Sequence, residues 1–261
     1  LVAAVADRTR LWTPLLRRLG QTCPSCAVHG DVSEGFAGEG DVDVVAPERD
    51  LGVVEAEFRA WARSSGLGPT VACTHRPGVL VLAALAPAAG EPFFEVEARH
   101  TRYFRGRTLW RAPDLVDLVE EGDYRRLRPG AAGLLKLVPN GIRPGGRPKW
   151  SAAKRARVSQ RLRADPEGAR LAARLFGRAR GAALRAADAV AAGGWDRRAS
   201  LLLELWAASG AITEIPALAR RVRARARPRC LVLDAVKGGR RVSGDREEWL
   251  TLVARDHPVD R

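Results

Sequence analysis

Residues 41–46, Asp-Val-Asp-Val-Val-Ala, constrain the fold of this 261-residue chain more than any other stretch. Side chains alternate along an extended strand, so Val42 and Val44 take one face and Asp41 and Asp43 the other. One face must be buried, and the other must hold two carboxylates side by side. Neighbouring like charges raise each other's pKa and oppose folding unless a cation or a strong donor network lies between them. The strand follows a glycine-rich turn that opens at His29-Gly30-Asp31, and Pro47 ends it. A pair of solvated aspartates near a turn on an edge strand is the alternative reading of the same residues.

Periodicity on either side of this strand predicts an α+β domain. Val5, Leu11, Leu15, Leu16 and Leu19 mark a helical face that Gly20 stops, with Pro14 either kinking one helix or starting a second. Residues 26–30 read as a short strand. Asp50 is placed to cap a helix carrying Val53, Val54, Phe58 and Trp61, which Gly66 closes. Residues 71–76 and 78–85 are expected to form a hairpin around Pro77-Gly78, and residues 92–100 a further strand. Along that strand Glu95 and Glu97 share one face, while Phe94, Val96 and Ala98 share the other. A hinge at 104–113 leads to a helix capped by Asp114.

Beyond Pro139 the texture changes. A Pro/Gly-rich connector, 139–150, precedes Ala-, Leu- and Arg-rich helical periodicity over 151–164, 167–192 and 198–209. The expected organisation is a domain over residues 1–135, an arginine-rich helical domain over 136–229 and a strand-containing extension over 230–261. Charge follows the same division: residues 1–135 carry 16 Arg and Lys against 18 Asp and Glu, the remainder 28 against 12. The basic half suits a polyanion such as RNA, or a solvated charged face in a composition rich in Arg, Ala, Gly and Pro. No apolar run reaches about 18 residues, so membrane insertion is not expected. The N-terminal residues lack the order of a signal peptide, which makes the cytoplasm the expected compartment. Cys23 and Cys26 form a Cys-x-x-Cys pair with no second pair to complete a zinc site, and the four cysteines read as small buried thiols. The four histidines show no metal-ligand spacing.

A strand ending at Gly30, about ten loop residues, Asp41-Val42-Asp43 on a strand, a helix and a later acidic strand together resemble the nucleotidyltransferase superfamily typified by DNA polymerase beta. Two further stretches are similar to bacterial nucleotidyltransferase-like proteins associated with polysaccharide biosynthesis. They are Glu-Val-Glu-Ala-Arg-His-Thr-Arg-Tyr-Phe-Arg-Gly at 95–106 and the helical sequence at 161–177, and the resemblance spans residues 25 to about 190. It implies a nucleotidyltransferase-like mixed sheet with flanking helices, followed by a mainly helical domain. It also implies transfer of a nucleoside monophosphate from a nucleoside triphosphate to a hydroxyl of an acceptor. Asp41 and Asp43 would bind two Mg²⁺ ions, with Mn²⁺ as the alternative metal. Glu97, or Glu95 in a shifted register, would be the third ligand and help to activate the hydroxyl. Gly30 would give the triphosphate room. Asp31 departs from the pattern, since a Gly or Ser that donates to phosphate usually stands there and a carboxylate repels phosphate unless turned outward or metal-bound. Lys136, near the connector, is a candidate phosphate-binding lysine, and Arg99, Arg102 and Arg105 are either phosphate contacts or a solvated basic turn. The alternatives to an enzyme are a catalytically inactive nucleotide- or partner-binding module and an RNA-binding or tRNA-modifying protein.

Overall fold

The computed structural model describes residues 2–30, 32–37, 41–68, 70–74, 77–84, 94–214, 230–233, 236–237 and 240–241. The chain is a mixed α+β protein. Its first elements are α1 (Val2–Thr22), β1 (Ala27–Val28), α2 (Val32–Ala37), β2 (Val42–Val45), α3 (Leu51–Ser64), β3 (Thr70–Cys73), β4 (Val79–Ala84) and β5 (Phe94–Arg99). Next come β6 (Thr101–Phe104), β7 (Arg107–Arg111), a 3-10 segment (Ala112–Leu118), β8 (Val119–Glu120), β9 (Arg126–Leu127) and α4 (Pro129–Gly141). A small hairpin, β10 (Ile142–Arg143) and β11 (Arg147–Pro148), precedes α5 (Ala152–Ala164), α6 (Pro166–Ala172), α7 (Arg180–Ala191) and α8 (Arg197–Thr213). The last described elements are β12 (Cys230–Leu233), β13 (Val236–Lys237) and β14 (Arg240–Arg241). Among the described residues no helix is long and apolar enough to cross a membrane.

Two compact units share these elements. The first is Leu1–His100 with Asp123–Arg125 and Arg221–Arg261; the second is Thr101–Gly122 with Arg126–Arg220. In the first unit the strands run β12-β3-β4-β5-β2-β1, and β2 lies parallel to β5 while its other neighbour, β1, is antiparallel. One face of this sheet is apolar. Val42, Val44, Val96, Ala98, Leu80 and Leu82 are buried there against Trp12, Leu15 and Leu19 of α1 and Val54, Phe58 and Trp61 of α3. Trp12 stacks on Trp61 with centroids 5.3 Å apart, and Phe94 lies 5.3 Å from Trp12. Both indole N–H groups find carbonyl acceptors, Trp12 at Gly35 (3.2 Å) and Trp61 at Leu11 (2.8 Å), so the aromatic cluster carries no unmet donor there.

That continuous apolar face explains why α1 runs through Pro14 instead of breaking. A proline in a helix interior costs about 3 kcal/mol, but Leu11, Trp12, Leu15, Leu16 and Leu19 bury one unbroken stripe, and burying a single leucine offsets about 2 kcal/mol. The glycine-rich turn also holds more structure than its composition suggests: it contains α2. A Cβ at Gly35 would lie 2.5 Å from Val42 Cγ2 and 3.2 Å from the Asp41 carbonyl oxygen, so only glycine lets α2 lie this close to β2. Gly30 has φ +123°, a conformation that favours glycine, where the chain leaves β1.

Residues 101–122, expected within the first domain, belong instead to the second unit. The residues read as a hinge complete a hairpin, β6 and β7, that among the described strands bonds only to itself and turns through Arg105 (φ 50°) and Gly106 (φ 93°). It is fastened to α8. Arg105 pairs with Glu204 at 2.7 Å, the Arg107 guanidinium lies 4.1 Å over the Trp206 ring, and the Thr108 hydroxyl donates to Glu214 at 2.6 Å. The Pro/Gly-rich connector is likewise structured: it completes α4, whose interior is buried from Gly130 to Leu135, and then forms β10 and β11. The helical periodicity over 167–192 divides at Gly177 (φ 51°) into α6, a 3-10 segment (Ala173–Ala179) and α7.

Asp165 ties this second unit together. Its carboxylate accepts from Gly168 N–H (2.8 Å) at the start of α6, from Gly130 N–H (3.1 Å) at the start of α4, and from Arg128 Nη2 (2.5 Å). One side chain therefore caps two helices and faces a guanidinium. Burial acts to raise its pKa, but the Arg128 hydrogen bond and the two backbone donors prevail and hold it below the usual aspartate value. A carboxylate with a depressed folded-state pKa adds stability above its unfolded pKa and loses it as pH falls through the folded one. Asp165→Asn is expected to destabilise the protein by about 2 kcal/mol at pH 7. In urea titrations the gap to wild type should hold at pH 6 and narrow below about pH 4; a gap that stays constant to pH 2.5 rejects an ionised cap.

Candidate functional site

The side of the sheet away from the aromatic core carries the charges. Register pairs Val42 with Val96, Asp43 with Glu97, Val44 with Ala98 and Val45 with Arg99. Because β2 and β5 are parallel neighbours, residues in register project to the same side. Val42, Val44, Val96 and Ala98 enter the core while Asp43, Glu97 and Arg99 emerge opposite. Continuing the register back one residue sets Asp41 beside Glu95. Four carboxylates and one guanidinium therefore line adjacent strands on one surface, with Val81 of β4 opposite Glu97 as an apolar neighbour.

Ligand oxygens from Asp41, Glu95 and Glu97 all lie within 4.8 Å of one another. Asp41 and Glu95 are half-buried and Glu97 is 1% exposed. Two unit charges at that separation repel by about 3 kcal/mol at an effective dielectric near 20. The donor set is all oxygen, all carboxylate and clustered, which fits a hard divalent cation of the Mg²⁺ or Mn²⁺ kind.

Asp43 is placed differently. Its Oδ1 accepts from Arg99 Nε at 3.0 Å, and the Nη2 of the same guanidinium bonds to Glu97 Oε2. Arg99 is itself largely buried, its side chain 11% exposed. Burial works against its charge, but Asp43, then Glu97 and more distantly Asp41, hold the guanidinium above its ordinary pKa. Arg99 is thus no solvated turn residue, since it bridges two of the acids. The signal was available, because Glu95, Glu97 and Arg99 sit at i, i+2 and i+4 and so share one face of a strand.

The remaining sequence-derived candidates fall elsewhere. Gly30 lies two residues beyond β1, just after buried His29, whose N–H donates to the Asp43 carbonyl at 2.8 Å and fixes the entry to the loop. Asp31 is outside the described residues, as are His75 and His257. Lys136 is half-buried on α4 in the second unit. Arg102 bonds to Asn140 and Arg105 to Glu204, so both serve the structure of that unit. His100 faces Glu48 at 3.8 Å, and burial lowers its pKa more than Glu48 raises it. Cys23 and Cys26 are buried free thiols in a tight turn between α1 and β1, with Cys23 Sγ 3.5 Å from Asp50 Oδ2. Cys73 departs from the idle-thiol expectation: it is disulfide-bonded and stands opposite Cys230 in the strand register.

Comparison with family models, with curated proteins and with solved structures finds no match for this chain. Chemistry at this surface is therefore read from its own geometry. The first consequence concerns stability. Arg99→Met would leave Asp43 and Glu97 side by side without their shared counter-ion, and removing one partner of a buried pair costs about 3–5 kcal/mol. Chemical denaturation of the variant should show a loss of that order, partly restored in Asp43→Asn/Arg99→Met. A loss below about 1 kcal/mol, the ceiling for exposed pairs, would mean that the ion pairs are solvated and structurally idle.

Proposed function

We propose that this chain is a metal-dependent nucleotidyltransferase, moving a nucleoside monophosphate from a nucleoside triphosphate to a hydroxyl of an acceptor. One observation carries the reading: Asp41, Glu95 and Glu97 bring carboxylate oxygens within 4.8 Å of one another on one face of two parallel strands. The local order supports it. β1 ends at Val28, the chain turns at Gly30, a short helix follows, and the chain returns on β2 with Asp41 at its threshold, which is close to the arrangement expected of a nucleotidyltransferase-like sheet. Fold resemblance alone assigns no substrate, so the acceptor is given only as a hydroxyl compound.

Asp41, Glu95 and Glu97 would hold Mg²⁺, and the ion, when bound, would supply charge neutralisation at the phosphates and polarise the reacting oxygens. Glu97 is buried and fixed from the rear by Arg99, so its carboxylate is oriented before any ligand arrives. Glu95 and Asp41 are more open and face whatever enters. Asp43, held by Arg99, keeps that guanidinium in place and supports Glu97 from the side. Gly30, in a conformation that favours glycine and with open space around its α-carbon, lets backbone approach a phosphate closely.

A second reading, a nucleotide-binding module without turnover, is favoured by the same Arg99, which engages an aspartate that a two-ion centre would use as a ligand. Pyrophosphate release screened over four nucleoside triphosphates and a panel of hydroxyl acceptors, with Mg²⁺ or Mn²⁺, separates the two. Transfer activity should fall at least about 100-fold in Asp41→Asn and in Glu97→Gln. Metal-dependent nucleotide binding that disappears in Asp41→Ala, without turnover in any combination, supports the second reading. Binding that ignores both metal and Asp41 rejects both.

A further inference from the structure

We infer that Arg99 is a built-in cation of this site, occupying the Asp43–Glu97 side of the carboxylate cluster and leaving room for a single divalent ion at Asp41, Glu95 and Glu97. The inference rests on the proposed function for the presence of a metal, and goes beyond it in fixing how many ions bind and what stands in for the other. Two-ion centres place their metals about 3.5–4 Å apart with a carboxylate shared between them. Here Glu97 is the shared carboxylate: it belongs to the converging triad and also accepts from Arg99 Nη2. The ligand a second ion would require is Asp43, whose Oδ1 is bonded to Arg99 Nε at 3.0 Å. Both bonds come from one planar guanidinium, whose fork matches two carboxylates on neighbouring strands far better than an ammonium would.

Electrostatics leads the same way. A second divalent ion would press a dication against a guanidinium already bonded to both of its ligands, within a side-chain environment that is 11% exposed at Arg99 and 2% at Glu97. Arg99 cannot leave cheaply either, since departure would bury an unpaired guanidinium or force β5 to open. It is thus a positioning residue that sets metal stoichiometry, where an ion pair serving only the fold would leave that number unchanged.

Mn²⁺ binding to the full chain, followed by the electron paramagnetic resonance signal of the free ion, tests this directly. Wild type should take up about one equivalent, the stoichiometry of a one-ion site. Asp43→Asn should shift affinity by no more than about threefold, whereas Asp41→Asn and Glu95→Gln should each weaken it at least about tenfold through loss of an oxygen ligand. Arg99→Gln should take up a second equivalent. Two equivalents in wild type would overturn the inference and leave the proposed function standing, and no binding to wild type would overturn both. Asp43→Asn as damaging as Asp41→Asn, or a folded Arg99→Gln that still binds a single equivalent, would also overturn the role given to Arg99. Should Arg99→Gln fail to fold, the wild-type stoichiometry and Asp43→Asn decide alone.

Discussion

Parallel pairing of β2 with β5 is the constraint on which the candidate site depends. It sets Asp43 against Glu97 and Val44 against Ala98, so one register decides both which residues enter the aromatic core and which acids meet on the other side. A slip of one residue would bring the charges into the core and the valines into the polar surface. The core thus enforces the site. Val42 and Val96 are fully buried, and their partners Trp12, Phe58 and Trp61 leave no alternative register that keeps the apolar face dry.

Such enforcement has an electrostatic consequence. The fold collects four carboxylates on adjacent strands because the valines between them must be buried, and mutual repulsion then has to be met by a cation. Arg99, two residues beyond Glu97 on the same strand, meets part of it from within. The triad of Asp41, Glu95 and Glu97 holds the rest of the negative charge in a more open position. Exposure rises from Glu97 toward Asp41 and Glu95, so solvent reaches the triad from the Asp41 and Glu95 end.

Much of this was legible in local sequence, and what was not had physical reasons. Alternation in Asp41-Val42-Asp43-Val44 and in Phe94 through Ala98 gave each strand its polar and apolar faces, because period-two patterning is a local property. Adjacency of the two strands is not local: more than fifty residues separate Asp43 from Glu97, and only the sheet order brings them together. The helix α2 was hidden because Gly35, which argues against a helix by propensity, is needed there for close contact with Val42. The hairpin β6–β7 was hidden for a similar reason: residues 104–113 read as a hinge, and the groups that fasten the hairpin, Glu204, Trp206 and Glu214, lie about a hundred residues onward.

Glutamates rather than aspartates at 95 and 97 suit this division of labour. Glu97 must touch a guanidinium on one side and belong to an oxygen cluster on the other, and its extra methylene lets the carboxylate stand clear of the strand while its stem packs among buried neighbours. Asp43, shorter and opposite, reaches Arg99 Nε without entering the triad. Arg99 in turn can serve both acids because its own strand position, opposite Val45, aims it back along the face it shares with Glu97. Side-chain length thus converts a symmetric ladder of acids into an asymmetric one, bridged by Arg99 at one end and more open to solvent at the other.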